Sequence, residues 1–440
     1  MIQTYEYVSS ALRRTLVLQN INHHLQLYHS NHCNTFFRNA GVLLATILFV
    51  ATAFGQTQIT LSDAIETAVK NNLTISNERL KTEHAKTLIK SAANLPSTML
   101  NGEFGQFNSA YFDTRVAVSQ SFSMPAVYNR QKQLFTKEWE ASMLNVSLKE
   151  FELKKMVTET FYGHIYLKEK EKLLTSIDSL YENLLQKASL RLQKGESNVL
   201  EKTTFETQRT GIQLQLVQIK QQLLMVEEII KLLLNTDVQY VPSATGFKMN
   251  EQQLPDLSNL QEHPYLKIAG QQQQIAKANI DVERSKLLPE LIAGYSNTSI
   301  QGTGANDVKY TAGQRFHSGQ LGIGIPIFTG AQKARIKASR INEQIATNNY
   351  NIEKQALQNT YLKSQIQYQQ NKRMLLLYQD QYLKNVNTIK ETANRQFVNG
   401  DINYLEFVML INQAIHIENG YIDMLNEYNN SLIALMYLNK

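Results

Sequence analysis

Enzyme chemistry needs side chains that take protons, hold metals or attack, at workable spacing. Downstream of residue 55 the histidines are His84, His164, His263, His317 and His416, scattered without the spacing of metal ligands. The one cysteine, Cys33, lies upstream of them all. The glycine fragments "GIGIP" (322–326) and "GTGA" (302–305) are isolated on an expected strand and loop, not on the strand-to-helix turn that cradles phosphate. Met143, Met225 and Met374 read as packing residues rather than copper ligands. These residues predict no enzyme, no cofactor and no resident metal. One pair of acids does stand out by position. Gly195 is followed by Leu200-Glu201, and Gly400 is followed at the same spacing by Leu405-Glu406.

A repeated acid asks what repeats around it. The seven prolines fall at 96, 125, 242, 255, 264, 289 and 326, so helix is free to run through 126–241 and 327–440. Repeat 1 is expected over 56–240. "ITLSDAIETAVKNN" opens a helix capped by Ser62-Asp63 and continuing to Leu95, where Pro96 stops it. A β-hairpin over 97–123 follows, in which Phe112, Thr114, Val116 and Val118 alternate with Asp113, Arg115 and Ser119. Pro125 closes it and a helix begins, with a seam at Leu173, Ile177, Leu180, Leu184, Ala188 and Leu192. At about 1.5 Å per residue it is roughly 100 Å long. Gly195 turns it, and a second helix returns to about Asn235.

Residues 241–262, with Pro242 and Pro255, read as a linker. Repeat 2 then runs over 263–440. Leu288-Pro289 echoes Leu95-Pro96, a hairpin spans 290–327, and Pro326 takes the place of Pro125. Leu321, Ile323, Ile325 and Ile327 share one face, with Gln320, Gly322 and Gly324 on the other. A long helix from Ala331 to Phe397 follows, with Tyr382, Val386, Ile389, Ala393 and Phe397 at steps of three and four. Gly400 turns it and the last helix reaches Tyr437. The corner prolines Pro96, Pro125, Pro289 and Pro326 mark where helix and strand must exchange. Glycine at the turns supplies positive φ.

The strand segments, about eleven residues each, suit tilted crossings of a bilayer. An antiparallel sheet packed on helices in a soluble protein is the competing reading. If the strands do span, the sheet must close, because an edge in lipid leaves backbone groups unpaired. Four strands are too few, about eight being the minimum, so several chains must share one barrel. Ahead of the repeats, Arg38, the apolar run "GVLLATILFV" (41–50) and small residues up to Gly55 read as a secretory signal peptide. Residues 1–55 are therefore expected to be a leader, and residues 1–37 to reflect a misplaced start or a long leader. The net charge of +6 is mild for 440 residues, and no basic patch interleaved with aromatics points to nucleic acid.

The repeat, the Leu-Pro corners, "GIGIPIFTG" entering the long helix and "RQFVNGDINYLEFVMLINQ" (395–413) together resemble the outer membrane efflux protein, or TolC-like, family over residues 58–438. The resemblance implies a mixed fold, a membrane β-barrel joined to a long α-helical coiled-coil barrel. A homotrimer would form a 12-strand barrel in outer-membrane lipid and a 12-helix tunnel in the periplasm. It implies a passive exit duct for drugs, metals or secreted proteins. The partners would be a periplasmic adaptor, or membrane fusion protein, and an inner-membrane pump. "VERSKLLPELIAGYSNTSIQG" (282–302) further resembles ducts paired with resistance-nodulation-division pumps of the heavy-metal type. By the same resemblance the tips at Gly195 and Gly400 would dock the adaptor, and Glu406 would be the gate acid. Where the family has a second acid, three places on, this chain has Met409, and no family role carries over to Glu201. A ring of three Glu406 would favour cations through its local field. The plain reading of Glu406 is a solvated glutamate on a helix surface. The competing reading of the whole chain is a soluble periplasmic or surface coiled-coil protein with structural or adhesive duties.

Overall fold

A computed structural model describes residues 57–244, 246–251 and 257–438. The architecture below is that of the unit beginning at Gln58. The expected leader, its cleavage point at Gly55 and Pro255 lie outside the described residues.

Helix α1 (Leu61–Asn71) is capped by Thr60, whose hydroxyl accepts from Asp63 N. It does not run on to Leu95. Asn72 ends it and also caps α2 (Leu73–Leu88), its side chain accepting from the N–H groups of Thr74 and Ile75. A short polar amide that can serve the backbone on either side makes that break. After α2 the chain tightens into a 3₁₀ turn at Ile89–Ala93, and Pro96 follows in the extended link to β1 (Met99–Gly105). Strand β2 (Asp113–Ser123) returns. Pro125 then sits at the first position of α3 (Pro125–Gln193), a 69-residue helix, where its missing N–H costs no hydrogen bond. Helix α4 (Val199–Leu234) runs back and ends on Asn235 in the left-handed region.

The second half opens with α5 (Pro264–Ser285). Pro289 directly precedes β3 (Glu290–Ser299), and β4 (Arg315–Gly324) returns. Ile325, Pro326 and Ile327 lie past the end of β4, in the link to α6 (Gly330–Leu377). The expected single helix from Ala331 to Phe397 is interrupted. A π-turn occupies Tyr378–Tyr382 before α7 (Leu383–Asn399). Opposite it, Gly420 leaves so little room that a Cβ there would stand 2.7 Å from the Tyr378 hydroxyl. Helix α8 (Tyr404–Met436) completes the chain.

The core is a set of seams strung along the helices. Near the chain start, Ala64, Ala68 and Ile75 pack on Leu153, Val157, Phe161 and Ile230. Further along, Tyr368, Leu375, Tyr428 and Leu432 join α6 to α8. Towards the turns, Ile177, Tyr181, Leu184 and Ala188 meet Phe205, Ala393, Phe407 and Ile411. Of the expected seam positions, Ile177, Leu184, Ala188, Val386 and Ala393 are buried, while Tyr382 is half exposed. The four strands form one antiparallel sheet in the order β1-β2-β3-β4. The two hairpins thus join through β2 and β3, and β1 and β4 are its edges.

Candidate functional site: the helical tips and the two-faced sheet

Both helix turns are built the same way. At the first, Gly195 has φ +76°; its N–H donates to Leu192 O at 3.1 Å and the Glu196 N–H to Arg191 O at 2.8 Å. At the second, Gly400 has φ +82°, with the matching bonds from Gly400 N to Phe397 O and from Asp401 N to Gln396 O. This paired closure of a helix end requires a left-handed residue, which glycine adopts without steric cost. Asn198 and Asn403 then cap the return helices.

The two acids part company. Glu201 is buried, with 5% exposure. One carboxylate oxygen receives Arg191 Nη1 at 2.9 Å and the other receives the Ser197 hydroxyl. Glu406 is exposed; its carboxylate accepts from Asn403 N at 2.9 Å while its own N–H donates to the Asn403 side chain at 3.0 Å, a reciprocal capping box. Matching position therefore does not mean matching environment. Arg191 and Ser197 were missed by sequence reading, although the signal was local: both flank the glycine turn that folds them against Glu201. Leu200, Leu405, Val199, Val398 and Met409 are exposed around these turns.

The sheet carries the second constellation. Directly opposed residues on neighbouring strands share a face. The register sets Leu100 opposite Val118 and Val118 opposite Tyr295; Phe122 faces Leu291, and Leu291 faces Ile323. One face therefore holds Leu100, Phe104, Val116, Val118, Phe122, Leu291, Tyr295, Leu321 and Ile323, all exposed. The other holds Asn101, Glu103, Arg115, Ser119, Ser121, Ser296, Thr298, Ser318 and Gln320, with glycines and Met99, Ala117, Ile292 and Phe316 between. Leu321 is 90% exposed and Ile323 64%, so the apolar face has no cover among the described residues.

The histidines are dispersed. His164 is fully buried on α3, its Nε2 3.4 Å from Glu227 and its Nδ1 without a partner. Burial lowers its pKa and Glu227 partly opposes this. His263 is buried against Phe151 and Tyr265, with burial again lowering its pKa. Among the described residues no three of His, Cys, Asp and Glu approach closely enough to share a metal ion. No helix among them is long and apolar enough to cross a membrane.

Residues 258–438 match the model of the outer membrane efflux protein family. The match covers about two fifths of the chain. The matched residues hold β3, β4, the π-turn and the second tip. The fold likeness reaches further. The chain resembles CusC with a TM-score of 0.73 at 16% identity, over 88% of this chain and 94% of that one. It resembles the Campylobacter jejuni CmeC outer membrane channel with a TM-score of 0.71 at 15% identity, over 86% and 85%. The open state of the Neisseria gonorrhoeae MtrE outer membrane channel gives 0.70 at 15% identity, over 86% and 88%. At such identities the likeness is one of fold, and the chain has the fold of these TolC-like channels. A search of the curated proteins finds no match.

Proposed function

We propose that this chain is the outer-membrane exit duct of a tripartite efflux system. It acts as a passive channel, carrying substrate from an inner-membrane pump and a periplasmic adaptor to the outside. The observation that carries the reading is the sheet: one face largely apolar through its lower and middle rows, an opposite face mostly polar or small, and two edges that no other strand of the described chain covers. Such a sheet is stable in lipid only if closed. A homotrimer laid β4 to β1 closes it into a twelve-strand barrel, an even number in the range of such proteins.

The rest of the layout follows from that closure. The two repeats, 56–240 and 263–440 about the 241–262 linker, each give one hairpin and one long helix pair, with the corner prolines at the junctions. The 69-residue α3 at about 1.5 Å per residue projects roughly 100 Å from the membrane into the periplasm. The tips at Gly195 and Gly400 then stand farthest from the outer membrane, where exposed Leu200 and Leu405 offer apolar contacts to an adaptor. Glu406, exposed near the second tip, is the gate acid in this reading. The inner-membrane partner is a resistance-nodulation-division pump of the heavy-metal type, read from the 282–302 segment.

Extraction tests the core of the proposal. The chain is expected in the outer-membrane fraction, to need detergent, to run as a trimer that dissociates on heating, and to conduct ions in a planar bilayer. A folded monomer in detergent-free buffer would overturn it in favour of a soluble coiled-coil role. Deleting the gene and scoring metal against drug sensitivity tests the pump assignment.

A further inference from the structure

The outward face of the sheet is apolar only along part of its height. From Ile323 to Arg315 strand β4 rises about 27 Å at about 3.4 Å per residue, or roughly 20 Å along the membrane normal at the usual tilt. The lower rows hold Phe122, Leu291, Ile323 and Leu321. The top row, next to the hairpin loops, holds Phe104, Thr114, Ser299 and Arg315, with Gly102, Val116, Asn297 and His317 in the row beneath. Arg315 is anchored: its Nε donates to Asn297 Oδ1, Nη1 to Thr114 Oγ1 at 2.6 Å and Nη2 to Asn297 O at 3.1 Å. A guanidinium has five N–H groups, and these bonds use three of them.

What Arg315 lacks is an anion. The sheet contains three carboxylates, Glu103, Asp113 and Glu290, and the register puts all of them on the opposite face. There Arg115 donates to Glu103 at 3.0 Å. A neighbouring copy does not supply the missing charge either, because the outward positions of its edge strand β1 are Leu100, Gly102 and Phe104. Beside Arg315, the His317 ring has both the Tyr295 hydroxyl and Asn297 Nδ2 directed at Nδ1. An amide nitrogen only donates, so Nδ1 accepts and the proton sits on the exposed Nε2 as a further donor. Fixed ionisable groups on a lipid-facing surface are costly and mark function by default.

We propose that Arg315 and His317 form a lipid-recognition site on the outer rim of the barrel, binding the phosphate of an outer-leaflet lipid headgroup. The proposal rests on the exit-duct reading, which sets this face against lipid and this row at headgroup level. Guanidinium forks match phosphate oxygens in pairs, and an immobilised one presents them without ordering cost.

The test uses the full-length trimer, delipidated in a neutral maltoside and titrated with lipid A, with dephosphorylated lipid A or with inorganic phosphate. Bound lipid is counted by native mass spectrometry. Phosphorylated lipid A is expected to be retained at about one copy per protomer and the dephosphorylated form to be lost, with Arg315→Gln weakening retention about fivefold. Arg315→Lys, which keeps the charge but loses the fork, is expected to retain more than Arg315→Gln and less than wild type, and Arg115→Gln on the inward face leaves retention unchanged. Equal retention of both lipids, indifference to Arg315→Gln in an intact trimer, or equal competition by inorganic phosphate each overturns the site. A wild-type chain that yields no detergent-stable trimer sinks the duct reading and this site together, whereas a stable trimer indifferent to lipid phosphate sinks the site alone.

Discussion

The two helical tips share a backbone and differ in how they use an acid. Both close on a positive-φ glycine with the same pair of hydrogen bonds, and both restart on an asparagine cap. At the first, Glu201 is drawn in by Arg191 across the turn. At the second, Gln396 stands where Arg191 would be, and Glu406 stays out, folded onto its own cap. A backbone device survives duplication because it needs only glycine and a capping amide. Side-chain chemistry at the same positions is free to diverge, since it hangs on one partner residue.

The largest effect should come from removing that partner. Arg191→Ala leaves the buried Glu201 carboxylate with the Ser197 hydroxyl alone, a loss of about 2 kcal/mol for a charge-assisted bond. Amide exchange around the first tip is expected to quicken by roughly thirtyfold. Gln396→Ala should leave the second tip within about 0.5 kcal/mol of wild type. Similar changes at both tips would break the contrast.

A pH effect of somewhat smaller size sharpens it farther up the helices. His164 is buried ahead of Gly195, and the residue equally far ahead of Gly400 is the exposed Gln369. The folded pKa of His164 lies below its ordinary 6.5, so below that pH the unfolded segment binds the extra proton. Stability held above about pH 6.5 is therefore lost as pH falls towards the lower folded value, at up to about 1.4 kcal/mol per unit. Exchange near His164, corrected for intrinsic rate, should accelerate between pH 7 and 5.5 while exchange near Gln369 does not. His164→Gln should remove the slope.

Substitution at the turn glycines comes next and should be symmetric. Gly195→Ala and Gly400→Ala force a Cβ into the left-handed region, at about 1 kcal/mol each, read as equal rises in exchange at the two tips. Open space surrounds both positions, so the cost is conformational rather than steric. Unequal costs would mean that the shared backbone is not the conserved element.

How much of this was legible depended on the range of the interaction. The turns were open to reading because they are encoded within a few residues, whereas the first cap lies at Thr60 rather than at the expected Ser62-Asp63. Asn71-Asn72 carried a readable break that helical periodicity alone overran. The alternation in β2 and β4 was visible strand by strand. That Val118 and Leu321 fall on one face was not, since it depends on β2 pairing with β3 across some 170 residues of chain. The π-turn at Tyr378 left no proline or glycine in its own segment; the room for it comes from Gly420 on a different helix. Nothing in the sequence singles out Arg315; only the register shows every sheet carboxylate facing away from it.

The smallest structural effect carries the sharpest functional test. A capping box accepts glutamine in place of glutamate, so Glu406→Gln keeps the bond to Asn403 N and loses only the charge near the α8 N-terminus, about 0.3–1 kcal/mol. The trimer should form normally. If three Glu406 carboxylates face the conduit, the cation-over-anion permeability ratio in planar bilayers should fall in this variant. Glu201→Gln should not change that ratio, because its carboxylate is buried and already neutralised by Arg191; its signature is faster exchange at the first tip. An unchanged ratio in Glu406→Gln would reduce that residue to a helix cap. An equal fall in both variants would mean that the first acid also reaches the conduit, and that the tips differ less in use than in contacts.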